Sequence, residues 1–171
     1  SVEQREDAII LDAVSQRNLE LTIYLSGGHE NTLAAIYDNT ATSMGSRLFG
    51  RWLKRPIRNH KIITQRQETI ESILTTNNFT EIHNILHSIG DIERILARVA
   101  LKSARPRDLV QLRQALNLLP QLHQQLSKLT TIKIQKLQQE IKLFPQLLDI
   151  LQRAIIDNPP VIIRDGGVIA A

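Results

Sequence analysis

His83 and His87 stand one helical turn apart, the spacing at which two imidazoles can share a metal ion. A structural zinc site takes four ligands. Glu81 reaches as a third only by bending around a helix start, and a chain without Cys has no thiolate to finish the set. Two partly exposed histidines flanking Ile82 and Leu86 are the simpler account. His29, His60 and His123 are isolated, with no Ser or carboxylate placed to mark a catalytic triad. Neither Gly27-Gly28 nor Gly166-Gly167 is followed by the Lys and Ser/Thr of a phosphate loop. Nothing would then grip a γ-phosphate and Mg²⁺. The expected lists of catalytic residues, metal ligands and cofactor-binding residues are therefore empty.

The remaining candidate is electrostatic. From Asn39 to Gln67 there are seven Lys/Arg and no Asp/Glu, although the chain's net charge is only +4. Arg47, Arg51, Lys54, Arg55 and Arg58 recur every three or four residues, as on one side of a helix. Such a stripe suits a polyanion or an acidic protein face. It is equally what any surface helix carries toward water. Solvation with intramolecular ion pairs is the simplest reading, an interdomain contact comes next, and direct DNA contact last. Leu48, Phe49, Trp52 and Leu53 fall at i, i+1, i+4 and i+5, which predicts an apolar stripe opposite the cations. That places Trp52 on the apolar side, and Gly45 beside it would admit another backbone.

The elements that must carry these residues read mostly as helices. Asp7 to Leu11 predicts an extended segment, and Asp12 caps a helix toward Leu21. Ser26-Gly27-Gly28 is a turn and Thr32 to Tyr37 a short helix. Ser43 is the expected N-cap of the basic helix, which Pro56 ends because the residue before proline leaves the α region. Ile62 to Leu74 is helical, with a polar gap at Arg66 and Gln67. Those two either snorkel past the core edge or pair with a carboxylate from a part of a longer protein outside this chain. Ile82, Ile85, Leu86 and Ile89 repeat the apolar stripe. After Gly90, Asp91 caps a helix bearing Ile92, Ile95, Leu96 and Val99. Arg94 and Arg98, beside Asp91 and Glu93, predict ordinary surface pairs.

Pro106 sits at the first position of a helix carrying Leu109, Leu112, Leu116, Leu119 and Leu126. Ile134, Leu137, Ile141, Phe144, Leu148, Leu151 and Ile155 then alternate steps of three and four. That pattern is a narrow seam asking for a partner helix. Pro120 and Pro145 fall within these runs and predict a kink or a new helix start. Asn158-Pro159-Pro160 stops the last helix. Val161-Ile162-Ile163 and Val168-Ile169-Ala170 around Asp165-Gly166-Gly167 signal a β-hairpin.

Composition bounds the answer. The 171 residues suffice for a real core, and apolar content is 42% with only 4% aromatic. Leu and Ile dominate, which favours aliphatic helices over a sandwich. The expected class is all-α: an irregular multi-helix bundle with a short extended segment near the N-terminus and a β-hairpin at the C-terminus. With no Cys there is no disulfide framework, which fits a reducing cytoplasm. No apolar run approaches the roughly 18–20 residues of a membrane helix, and SVEQRED lacks the apolar region of a signal peptide.

The run ENTLAAIYDNTATSMGSRLFGRWLKRPI, preceded by LDAVSQRNLEL, closely resembles a segment of the bacterial MutS mismatch-repair ATPases. RQETIESI, GDIERILARVALKSARPRDL and AIIDNPPVIIRDGG follow in the same order, so the resemblance spans essentially the whole chain from about Ala8. It implies the first part of that family's helical core or lever domain. Residues 1–157 would be the helical lever and 158–171 a hairpin leading into the clamp, the chain being a fragment. The family's nucleotide site lies in a later domain and its mismatch-probing Phe-x-Glu in an earlier one. The resemblance thus implies no cofactor and no catalysis here, with ATP and Mg²⁺ bound elsewhere in the parent. Its implied partners are the connector, clamp and ATPase domains, mismatched duplex DNA through the parent, and a second parent subunit in a homodimer. A bacterial cytoplasm, at the nucleoid, is the implied location. The seam from Ile134 to Ile155 would await helices that return after the clamp, so an isolated fragment would self-associate. The alternative is a free-standing helical adaptor that meets an acidic protein or nucleic acid through the Arg47–Arg58 face.

Overall fold

The structure, a computed structural model, describes residues 8–160 and 168–169. Among these residues nine α-helices form and no sheet. The all-α class therefore stands. The chain divides into two compact units, Ser1–Ile70 and Glu71–Ala171.

In the first unit, α1 spans Ala13–Asn18, α2 Leu33–Tyr37, α3 Ser43–Lys54, and α4, His60–Thr75, begins there. Asp12 caps α1 by accepting the Ser15 N–H at 2.7 Å, and the helix ends at Asn18 short of Leu21. Thr32 is buried. Its hydroxyl donates to the His29 carbonyl at 2.9 Å and accepts the Ala35 N–H at 3.2 Å. Gly27 and Gly28 turn the chain with φ of 93° and 100°, values glycine adopts without strain. The expected extended segment is visible as an isolated bridge between Ala8 and Ile57, and the Ile9 N–H donates to the Pro56 carbonyl at 2.8 Å. Leu21 is this unit's only buried apolar residue among those described, while Ile9, Ile10, Ile36 and Tyr37 are exposed.

In the second unit follow α5, Phe79–His87; α6, Ile92–Ala100; α7, Pro106–Leu126; α8, Ile132–Glu140; and α9, Pro145–Ala154. The hub is α7, which packs against α5, α6, α8 and α9. Ile95, Val110, Leu112, Leu116, Leu151 and Ile155 form one buried cluster, with Leu109, Leu119 and Leu148 packed against it. Pro120 lies inside α7 without starting a new helix, so only the Pro145 expectation of a start is met.

Three polar fasteners tie the helices to α7, and sequence reading anticipated none of them. Arg98 does not pair with Asp91 or Glu93 as expected. Its Nε and Nη2 reach the Asp108 carboxylate across to α7 at 2.8 and 2.7 Å. Asp108 also accepts the Arg105 N–H at 2.9 Å, closing the first turn of α7. Arg113 donates to the Ile155 carbonyl at the end of α9 and to Asp157, both at 2.6 Å. His123 and Gln138 link α7 to α8, with His123 Nε2 2.9 Å from the Gln138 carbonyl.

Burial is the largest influence on Asp108 and opposes ionisation. The Arg105 N–H, the Arg98 hydrogen bonds and the charges of both arginines together outweigh it, so the carboxyl sits below its ordinary 3.8. A carboxyl depressed on folding stabilises above its unfolded value and loses that contribution as pH falls through the folded one. Asp108→Ala should therefore cost about 1.5–2 kcal/mol near neutral pH, from a charge-assisted bond and a lost helix cap. Below about pH 4 the gap from the parent chain should shrink. Urea unfolding at pH 7 and pH 3 reads both, and a gap unchanged by acid would contradict the assignment.

The seam is interrupted. Residues 141–144 are not helical, and Phe144 takes the left-handed conformation, φ 48° and ψ 51°, before Pro145 starts α9. The expected C-terminal hairpin falls largely on residues 161–167, outside the described residues. The visible pairing is a bridge from Ile155 to Ile169.

Candidate functional site

The basic helix is built by a polar loop that fixes its first turn. Thr42, not Ser43, is the N-cap: its hydroxyl accepts the Gly45 N–H at 2.9 Å, and Ser43 is the first helical residue. Asp38 accepts hydrogen bonds from the Ser46 hydroxyl and, at 2.6 Å, from the Thr40 hydroxyl. Ser46 first, then Thr40, holds the Asp38 carboxyl below its ordinary range. Gly45 is needed for a close approach, though not of another backbone. A Cβ there would lie 3.1 Å from Thr40 Cβ and 3.2 Å from Thr42 Oγ1. The loop thus seals itself against the helix, and the Asp38 charge is engaged by hydroxyls.

The faces of α3 differ from the sequence expectation. Phe49 and Leu53 are half-buried and turned inward, whereas Leu48 and Trp52 are exposed at 36% and 37%. At about 100° per residue, Arg55 projects within about 20° of Leu48, and Arg51 within about 60° on the same side. The four apolar residues are therefore split. Leu48 and Trp52 share the outer face with Arg51 and Arg55, all four exposed. Reading the stripe as one block hid this, because i, i+1, i+4, i+5 spans a wide arc whose centre only burial can fix.

Arg66 completes the face from α4. Its guanidinium lies over the Trp52 ring, 3.6 Å from the centroid, and its buried Nε has no hydrogen-bond partner. The side chain as a whole is half-buried, and no described carboxylate pairs with it. A cation over indole contributes on the order of 0.5–2 kcal/mol depending on desolvation. Arg47 and Arg58 each have an interaction of their own. Arg51, Lys54 and Arg55 have no ion pair among the described residues. Lys54 and Arg55 also line a cavity of 320 Å³ with Ala8, Ile9, Ile10, Leu11 and Gln16.

The seam residues lie on α8, α9 and the break between them. Ile134, Leu151 and Ile155 are buried within their own unit and Leu148 packs beside them. Leu137 and Phe144 are exposed, and Ile141 is half-buried. His83 and His87 stack with ring centroids 6.3 Å apart, and Phe79 lies tilted against His83 at 5.5 Å. Among the described residues no third ligand joins them. Nor is any described helix long and apolar enough to cross a membrane.

The sequence model of MutS domain III matches residues 14–171. The chain belongs to the MutS domain III family. It is a core domain of the MutS mismatch-repair type, and the match covers α2 to α9, all of α1 but its first residue, and the bridge at Ile169. The implied fold class agrees with the helices described above. In this MutS domain III the basic face belongs to the unit of residues 1–70, and the aliphatic core around α7 to the unit of residues 71–171.

Proposed function

We propose that this domain is a mechanical element. In the complete MutS-type protein it couples nucleotide state at one end to DNA clamping at the other, and it makes no covalent change itself. The observation that carries the reading is the family match over residues 14–171. The architecture supports it. Helices satisfy their backbone hydrogen bonds internally, so packed helices can shift between discrete arrangements as stiff bodies. ATP and Mg²⁺ would bind the parent's ATPase domain, and mismatched duplex DNA its clamp and mismatch-probing domains. The parent would work as a cytoplasmic homodimer.

A short run of glycines inserted between Ile70 and Glu71, within α4, tests this in the complete protein. Glycines there break helical continuity at the boundary between the two units. ATP affinity and mismatched-DNA affinity, each measured alone, should change less than about threefold. The factor by which ATP alters DNA affinity should fall toward one, because coupling is a separate free energy from either binding event. A factor unchanged by the insertion would sink the lever reading.

A further inference from the structure

We propose that the outer face of α3 docks an acidic amphipathic segment of another protein. Leu48 and Trp52 would receive its apolar side chains, and Arg51, Arg55 and Arg66 its carboxylates. This goes beyond the coupling role and does not depend on it.

Three observations converge. The first is charge: seven Lys/Arg and no Asp/Glu lie between Asn39 and Gln67, and the adjoining Asp38 is engaged by Ser46 and Thr40. The second is composition of the face. An exposed leucine and an exposed tryptophan interleave with exposed arginines, and aromatic and arginine side chains are the groups that dominate interface energies. The third is preorganisation. Trp52 already carries Arg66 on one ring face, so the cation and the indole are held before a partner arrives. Next to Arg55, the cavity with Ile9 and Ile10 adds apolar depth that a partner's side chain can fill.

The same features separate the possible occupants. Duplex DNA offers phosphates but no apolar side chains to cover Leu48. One face of the Trp52 ring is occupied by Arg66, which reduces its use as a stacking platform for bases. A second copy docked symmetrically would set arginines against arginines, since a two-fold contact places the same patch on both sides. An acidic amphipathic segment meets both demands.

Trp52 is the chain's only tryptophan, so its emission reports this face directly. The probe is a synthetic helical peptide of Glu and Leu at amphipathic spacing. It should bind, shift Trp52 emission to the blue and weaken with salt. Replacing its Leu by Ser should cost at least fivefold in affinity, and replacing its Glu by Lys should abolish binding. The chain variant with Arg51→Glu and Arg55→Glu alters two exposed positions. It should keep its far-UV circular dichroism, lose at least tenfold toward the Glu/Leu peptide and gain binding to the Lys/Leu peptide. That charge-swapped rescue separates a docking face from a folding defect. Three results would overturn the inference: no response to the Glu/Leu peptide, tighter binding to a duplex DNA, or a blue shift that follows protein concentration without peptide. Each would leave the coupling role to be judged by the glycine insertion.

Discussion

Ile95→Ala should lower the unfolding free energy of the α5–α9 unit by about 3–4 kcal/mol, the largest effect expected of any single truncation here. Ile95 is 0% exposed and sits in the cluster with Val110, Leu112, Leu116, Leu151 and Ile155. The loss has two parts. Removed methylenes forfeit their transfer from water, and the space they leave stays largely open because neighbouring helices relax only partly. Ile95→Val removes a single methylene and should cost only about 1 kcal/mol. Urea titrations followed by far-UV circular dichroism give both values. An Ile95→Ala cost below about 1 kcal/mol would mean that α6 does not pack against α7 as described. Domains are stable by only about 5–15 kcal/mol, so the alanine variant should also be markedly less heat-resistant.

Arg113→Ala comes second, at about 2–3 kcal/mol, and the reason lies in which partner matters. The Arg113 side chain is only 12% exposed while that of Asp157 is 90% exposed. The ion pair therefore sits largely in water on its acidic side, and Asp157→Ala should cost under about 1 kcal/mol. The bond to the Ile155 carbonyl is different. It closes the C-terminal end of α9 with a charged donor, and Ile155 itself is buried. Truncating Arg113 leaves that carbonyl short of a partner and removes the apolar stem that covers it. Arg113→Lys should recover less than half, since an ammonium cannot address two acceptors with the guanidinium's fixed fork. Equal losses for Arg113→Ala and Asp157→Ala would assign the stability to the ion pair instead.

Much of this fold was legible from local rules. Asp12, Thr32 and Asp91 cap their helices as short polar side chains do, Pro56 and Pro145 bound theirs, and the Leu/Ile periodicity located α5, α6 and α7. The difficulties were long-range. Arg98 and Asp108 are ten residues apart in sequence and Arg113 and Ile155 forty-two, so no spacing rule pairs them. The seam from Ile134 to Ile155 kept its period, yet period does not require continuity. A left-handed residue before a proline breaks the rod: beyond it Leu151 and Ile155 are buried, whereas before it Ile134 is buried and Leu137 exposed. The site was half legible. The cations were plain, but the side of α3 to which Leu48 and Trp52 belong depends on what covers Phe49 and Leu53, and that is tertiary information.

The left-handed Phe144 has a consequence for how the chain tolerates length changes. Adding or removing one residue inside a continuous rod rotates everything downstream by about 100° and turns a buried stripe toward water. Within 141–144 the same lesion meets backbone outside any helix, and α8 and α9 each keep their own orientation toward α7. Insertions and deletions should accumulate there among relatives, while the flanking helices hold their lengths.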